Sequence, residues 1–188
     1  MIAREAAEHA GMSRKDRDRL LADMRRRGNL RALRCYEVMF FNLFRRSTVA
    51  RLMPGWVDFK RHTVRVPASS AKGSKTRTYW LHPRAEKAIR AQVRENGDVG
   101  IPIFGPFDHS NVFWSACERL GIASREDKRG ITPHHVTRRT AATMLVEAGA
   151  STKDRMAAGG WESIQAAERY DLPREQVARS KRALRKLR

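Results

Sequence analysis

The chain has 188 residues, and 39 lysine and arginine residues against 20 acidic residues give it a formal net charge of +19. Hydrophobic residues make up 41% of the sequence, which is enough for a buried core and argues against wholesale disorder. No apolar run approaches the roughly 20 residues that cross a bilayer, and no apolar stretch near the start resembles a secretory signal. We therefore expect a cytoplasmic, nucleoid-associated protein with no membrane partner, whose charge favours nucleic acid.

The predicted helices follow from apolar spacing together with capping residues at their ends. In chain order they begin at or near Ser13, Leu30, Pro83, Ser110, Thr132, Ser151, Ser163 and Pro173. Residues 30–44 are apolar nearly all round, which predicts that this helix is the buried centre of the fold. Cys35 and Cys117 lack metal-type spacing and are predicted to be reduced core thiols.

One small sheet is predicted between the second and third helices. After Pro54 and Gly55 the pattern changes to the alternation typical of strands, over residues 63–66 and again over 76–81. A basic turn over residues 71–75 joins the two strands. The fold class is thus α+β, mostly α-helical with one small antiparallel β-sheet, and no linker divides the chain into two domains.

The last predicted helix, residues 173–188, has seven lysine or arginine residues and one acidic residue. Its apolar residues Val177, Leu184 and Leu187 lie on one stripe at helical spacing. Two interpretations stay open: a solvated basic tail, or a helix that docks on a neighbouring protomer while its charges face DNA.

Two basic patterns could bind an anion. Arg45 directly follows the apolar central helix, so its side chain either reaches solvent or holds an anion, since a buried unpaired charge is costly. Lys72 stands beside Gly73 in the predicted turn, where it is either an exposed basic residue or a close phosphate contact. Neither pattern is decisive alone.

A third pattern lies at the start of the helix that opens at Thr132. His135 and Arg138 are three residues apart, so they project from one face near a helix N-terminus that favours anions. An imidazole beside a guanidinium suits phosphoryl chemistry, although a histidine near a helix start is often structural. His134 and His135 are adjacent, so we expect them to point in different directions and to make a poor metal pair.

The fourth pattern runs from the paired glycines 159–160 through Trp161 to Tyr170. It is compatible with ordinary packing, yet Tyr170 has polar neighbours in the sequence. A phenol with a pKa near 10 is a poor nucleophile unless cations stabilise its oxyanion.

Together and in this order, the four patterns resemble the catalytic domain of the tyrosine recombinases, or phage integrases. The resemblance runs from about Ser13 to Leu172, which predicts a lead-in over residues 1–12, a catalytic domain over 13–172 and a C-terminal helix over 173–188. The family motifs are Gly-Leu-Arg-x-Ser-Glu, a hairpin lysine, His-x-x-Arg, a Gly-His/Trp position and Glu-Arg-Tyr. They match residues 44–48, Lys72, 135–138, 160–161 and 168–170.

The resemblance implies site-specific DNA recombination. Tyr170 would attack a DNA phosphodiester, leaving a 3′-phosphotyrosyl bond and a free 5′-hydroxyl, and a partner strand's 5′-hydroxyl would reseal the backbone. The reaction would need no cofactor, neither ATP nor a metal. The partners implied are double-stranded DNA and further copies of the chain, in a tetrameric synapse.

The remaining site residues have implied roles around the phosphate. Arg45 and Arg138 would bind the non-bridging oxygens, and Lys72 would protonate the leaving 5′-oxygen. His135 would handle the proton of the nucleophile or bind the phosphate. Trp161 would position the phosphate and the tyrosine-bearing segment.

Some positions depart from the family pattern. Thr48 stands where glutamate is usual, which weakens the expected support of the site, and Thr137 replaces a leucine. Only about 12 residues precede the first helix, so the chain is expected to be either trimmed or a naturally short member without the N-terminal DNA-clamp domain.

Three competing interpretations stay open. A catalytically silent DNA-binding relative would share the fold and the charge, and a type IB topoisomerase would share the chemistry. A generic RNA-binding protein would explain the charge but not the ordered set of site residues.

Overall fold

A computed structural model of the chain describes residues 11–70, 75–97, 100–105, 108–124 and 132–168. Within these ranges the chain is mostly helical with one three-stranded sheet, which confirms the predicted fold class. The helices are α1 (Arg14–Arg26), α2 (Leu30–Asn42), α3 (Arg46–Ala50), α4 (Pro83–Asn96), α5 (Ser110–Arg119), α6 (Pro133–Glu147), α7 (Thr152–Gly159) and α8 (Ile164–Glu168). The strands are β1 (Val57–Asp58), β2 (Thr63–Val66) and β3 (Arg77–Trp80).

Local capping explains several helix starts. The Ser13 hydroxyl accepts the Asp16 amide of α1 at 3.0 Å, and Ser151 and Asp154 form a reciprocal capping box at the start of α7. Pro83 occupies the first turn of α4, as predicted, and Gly97 follows its last residue.

The central helix α2 packs against α1, α4 and α6, and most of its side chains are buried. It ends at Asn42, two residues earlier than predicted, because Leu43 adopts a left-handed conformation with φ 53°. That turn redirects the backbone, so Arg45 precedes the short helix α3 instead of extending α2.

The sheet is antiparallel in the order β1-β2-β3, and β1 is a strand that the sequence pattern did not predict. Val64 lies opposite Tyr79 and Val66 opposite Arg77. Since side chains alternate along a strand, these four residues share one face of the hairpin formed by β2 and β3. Both valines are buried against the main core.

A second, small apolar cluster lies beside the main core. Its buried members are Leu43, Ala141, Ala142, Trp161 and Ala167. This cluster joins the end of α2, the middle of α6 and the segment from α7 to α8.

Neither cysteine takes part in a disulfide. Cys117 is buried as predicted, whereas Cys35 is half-buried, and desolvation raises the pKa of its thiol to about 12. In the described ranges no helix is both long and apolar enough to span a membrane.

Candidate active site

The candidate site is centred on Arg138 of α6. Its side chain is 7% exposed, and its guanidinium donates hydrogen bonds to the carbonyl oxygens of Leu43 and, at 2.5 Å, Gly159. The same guanidinium stacks over the Trp161 ring, 4.6 Å from the ring centroid. One arginine therefore connects three of the segments that the sequence patterns singled out.

The two carbonyls are chemically suited to a cation. Leu43 is the C-cap of α2, and Gly159 is the last residue of α7. The final carbonyls of a helix have no partner within it and carry the negative end of the helix dipole. Arg138 thus satisfies both helix ends and places a positive charge between them.

Trp161 is held in place by the two glycines that precede it. A Cβ atom on Gly159 would lie 2.4 Å from the indole ring, which is too close for any side chain there. Gly160 has φ +60°, and a Cβ on it would lie 2.4 Å from the Tyr79 hydroxyl. The chain therefore needs glycine at both positions for α7 to end against β3 with the indole buried.

Arg45 lies two residues after the Leu43 carbonyl that Arg138 binds. Its side chain is half-buried, and its guanidinium makes no hydrogen bond or ion pair within the described part of the chain. The neighbouring Arg46 pairs with Asp108 at 3.6 Å. Thr48 is buried, and its amide donates to the Arg45 carbonyl at 2.9 Å. Arg45 is therefore a cation without a protein partner among these residues.

The prediction that His134 and His135 point in different directions is wrong. Their ring centroids are 4.3 Å apart, because the Thr132 hydroxyl lies 2.7 Å from Nδ1 of His134 and 3.0 Å from Nδ1 of His135. Thr132 is the N-cap residue as predicted, but its hydroxyl binds these imidazoles and caps no backbone amide. Helix geometry alone would point the two histidine side chains apart, but their common contact with the Thr132 hydroxyl brings the rings together.

Both imidazoles have lowered pKa values. Partial burial, then the neighbouring His135 and Arg46, lowers the pKa of His134 to about 4. Partial burial and Arg139 also lower the pKa of His135. His135 is exposed while Arg138 is buried, so the two side chains of α6 differ in their access to solvent. Across the described ranges no group of three or more potential ligands could hold a metal ion.

Lys72, Tyr170 and the predicted helix from Pro173 lie outside the described residues. The described flanks of these segments approach the site. Arg77, at the start of β3, forms an ion pair with Glu162 beside Trp161 at 2.6 Å. Ala167 on α8 is fully buried in the second cluster.

Sequence reasoning missed three contributors to this arrangement: Arg77, Tyr79 and Glu162. Tyr79 packs edge-on against Phe44 with ring centroids 5.2 Å apart, and its hydroxyl lies against Gly160. The alternation in β3 indicates which face Tyr79 occupies, but no local pattern indicates its partners.

Comparison with known proteins identifies the likeness of the whole chain. Residues 12–176 match the family model of the phage integrase family. A search of curated proteins finds no match.

Solved structures of recombinases share the fold. The crystal structure of XerA recombinase superimposes with a TM-score of 0.71 at 18% identity, covering 95% of this chain and 64% of that one. The Tn1549 transposon integrase in complex with a circular intermediate DNA gives a TM-score of 0.69 at 14% identity, covering 92% and 65%. The catalytic domain of bacteriophage HP1 integrase gives 0.61 at 18% identity, covering 86% of each chain. The present chain thus spans less than two thirds of the XerA and Tn1549 chains.

Proposed function

Because this chain belongs to the phage integrase family, we propose that it cleaves and rejoins DNA through a covalent 3′-phosphotyrosyl intermediate. The observation that carries the proposal is the buried Arg138 guanidinium, which joins the segment before Arg45 to the segment containing Trp161. Arg138 thereby brings together segments that are widely separated in sequence, and the cations of these segments could bind one phosphate. The DNA complex of the Tn1549 integrase supports DNA as the partner.

In the proposed reaction the phenolic oxygen of Tyr170 attacks the phosphorus and loses its proton. The bond between phosphorus and the 5′-oxygen breaks, and Lys72 gives that oxygen a proton, so a free 5′-hydroxyl leaves. Resealing reverses the same steps with a 5′-hydroxyl from a partner strand. A phosphodiester is exchanged for a phosphodiester, so the reaction requires no external energy source.

The cations act on charge that grows in the transition state. Arg45 would bind a non-bridging oxygen directly, since the described structure gives its guanidinium no other partner. Arg138 would bind a second non-bridging oxygen, because the planar fork of a guanidinium suits a phosphate. His135 would bind the phosphate or take the proton of Tyr170, and its lowered pKa keeps it neutral near pH 7. Trp161 would orient the phosphate and the segment after it.

Incubation with nicked suicide substrates, drawn from DNA that flanks the gene, tests the proposal. We expect a covalent protein–DNA adduct on a denaturing gel. Tyr170→Phe should abolish the adduct and leave DNA affinity nearly unchanged, because the hydroxyl contributes little binding area. Adduct at wild-type level in that variant would contradict the assignment of the nucleophile.

The adduct assay, together with assays on a supercoiled plasmid and on paired unnicked sites, separates the competing functions. DNA binding without any adduct would identify a catalytically silent relative. Adduct formation followed by relaxation of supercoils without strand exchange would identify a topoisomerase-like activity. Exchange of strands between two sites, in a tetrameric synapse associated with the nucleoid, is the outcome that we expect.

A further inference from the structure

A groove of about 550 Å³ lies between the end of β3 and one face of α4. Trp80 lines it from the strand, and Lys87 and Arg94 line it from the helix. Tyr79, the preceding residue of β3, lies against Gly160 of the candidate active site. Because side chains alternate along a strand, Trp80 points away from that site. The groove is therefore a separate surface of the protein.

The Trp80 indole is held in place, yet most of it is open to solvent. Trp80 is 62% exposed, whereas Trp114 and Trp161 are 5% and 7% exposed. The Trp80 carbonyl accepts a hydrogen bond from the side-chain amide of Asn42 at 2.7 Å. Its ring lies nearly perpendicular to the His82 ring, with the centroids 6.3 Å apart. An indole so placed adds little to the core and offers a flat apolar surface to a ligand.

Neighbouring aromatic rings are covered by arginines, and Trp80 is not. The Arg90 guanidinium lies over the Phe59 ring, 4.1 Å from its centroid. The Arg84 guanidinium lies over the Phe41 ring at 4.5 Å. Among the residues that the structure describes, no cation stacks on Trp80 in this way. The stacking surface of its indole is thus open to a molecule from outside.

The groove carries an excess of positive charge. The acidic residue in its lining, Glu86, is already paired with His62 at 2.7 Å and with Arg90 at 2.6 Å. Lys87 and Arg94 are exposed, and neither forms a hydrogen bond or ion pair within the described ranges. They lie two turns apart on one face of α4, a rise of about 10.5 Å. Two cations at a fixed spacing therefore stand beside the open indole.

This combination selects the chemistry of the ligand. Cations bind phosphates and an open aromatic ring stacks on a nucleobase, which is how proteins hold single-stranded nucleic acid. In a duplex the face of each base is covered by its neighbours in the stack, so the indole would have no surface to pack on. An acidic peptide would meet the two cations without using the indole. The net charge of +19 also favours nucleic acid.

We propose that this groove binds an unpaired DNA strand, with a base stacked on Trp80 and nearby phosphates bound by Lys87 and Arg94. The inference rests on the proposed function for the source of that strand, because cleavage frees a 5′-hydroxyl end that has to leave one duplex for another. The groove holds the strand and takes no part in cleavage.

Binding of a short oligodeoxythymidylate to the full chain, followed by tryptophan fluorescence, tests the inference. Stacking should quench the indole emission. Trp80→Phe should remove most of this quenching but keep the affinity within about threefold, because a phenyl ring still stacks. Trp80→Ala should weaken binding by about tenfold, as expected for the loss of one stacked base. Unchanged affinity in Trp80→Ala would overturn the inference.

The salt dependence of the same binding tests the two cations. Lys87→Ala with Arg94→Ala should reduce the slope of log K against log salt by about 1.4, since each phosphate neutralised on a single strand contributes about 0.7. Arg14→Ala with Lys15→Ala is the matched control, because it removes two exposed cations of α1 that lie outside the groove. Equal losses in the two double variants would mean that the strand binds to overall charge, which would overturn the inference.

Other occupants are distinguished by the part of the quenching that Trp80→Phe removes, because this part reports on the groove alone. A single strand should produce it, whereas a blunt duplex of the same length and polyglutamate should not. Equal quenching by the duplex would assign the groove to ordinary duplex contacts, and quenching by polyglutamate would assign it to an acidic peptide. Either result would overturn the proposal.

The suicide-substrate assay keeps this inference separate from the proposed function. Trp80→Ala should form the covalent adduct at the wild-type rate, because the groove lies away from the candidate active site. If the wild-type chain forms no adduct, the proposed function fails, and the oligonucleotide binding still tests the groove. Loss of adduct in Trp80→Ala with unchanged oligonucleotide binding would place Trp80 in cleavage and overturn the inference.

Discussion

Replacing Arg138 by alanine should destabilise the fold as well as stop cleavage. The guanidinium donates to the Leu43 and Gly159 carbonyls in a buried setting and stacks on Trp161. Removing it leaves two buried carbonyls without this donor, at a cost of about 1–3 kcal/mol each. The desolvation cost of burying the guanidinium is no longer incurred and offsets part of that sum. We expect the free energy of unfolding to fall by about 3 kcal/mol.

Urea denaturation monitored by far-UV circular dichroism measures this loss. With a slope of about 2 kcal/mol per molar urea, the midpoint should shift by about 1.5 M. Arg138→Lys keeps the charge but cannot reproduce the planar fork, so it should lose about half as much. Lys153→Ala is the charge-matched control, since Lys153 is exposed on α7 and should change stability by less than about 0.5 kcal/mol. A loss below about 1 kcal/mol in Arg138→Ala would refute the idea that Arg138 joins the two helix ends.

Four further predictions follow from the same geometry. The wild-type free energy of unfolding should fall by about 1 kcal/mol from pH 7 to pH 5, because the lowered pKa keeps the His134 imidazole neutral in the folded state while it gains a proton in the unfolded state. The full linkage value is about 2 kcal/mol, and solvent screening roughly halves it. His134→Gln should remove this dependence on pH. Equal urea midpoints for wild type at the two pH values would contradict this. Gly160→Ala should destabilise by about 1–2 kcal/mol through its left-handed φ, and Tyr79→Phe should relieve the added steric clash in the double variant. Arg45→Ala should slow adduct formation by about a hundredfold in the suicide-substrate assay. Deleting residues 173–188 should leave a folded protein that binds DNA more weakly and without cooperativity, so unchanged cooperativity in a gel-shift titration would mean that the tail packs in cis or stays solvated.

Signals contained within a few residues allowed most of the fold to be predicted. The capping residues Ser13 and Ser151, and the proline at the start of α4, correctly located helix starts. The two elements that were missed, α3 and β1, have five and two residues. Elements this short form through tertiary contacts, because neither contains a full period of an apolar pattern.

The candidate site shows a different limit of sequence reasoning. The order of motifs indicated Arg138 and Trp161, but Arg138 finds its partners 95 and 21 residues away. Sequence spacing does not predict the left-handed turn at Leu43, and this turn makes the Leu43 carbonyl accessible to Arg138. The prediction that His134 and His135 point in different directions was wrong for a similar reason, because the Thr132 hydroxyl lies within hydrogen-bonding distance of both rings.

Variants of Arg45 and Arg138 should therefore differ in their effects on stability, although both should slow cleavage. Arg138 is buried between the C-terminal ends of α2 and α7, where its charge offsets two negative helix dipoles. Arg45 makes no comparable contact within the described residues. We expect Arg45→Ala to change the free energy of unfolding by less than about 0.5 kcal/mol while slowing cleavage, and Arg138→Ala to lose both together. If Arg45→Ala were as destabilising as Arg138→Ala, its guanidinium would have to be a structural cation, and its proposed role at the phosphate would lose its physical basis.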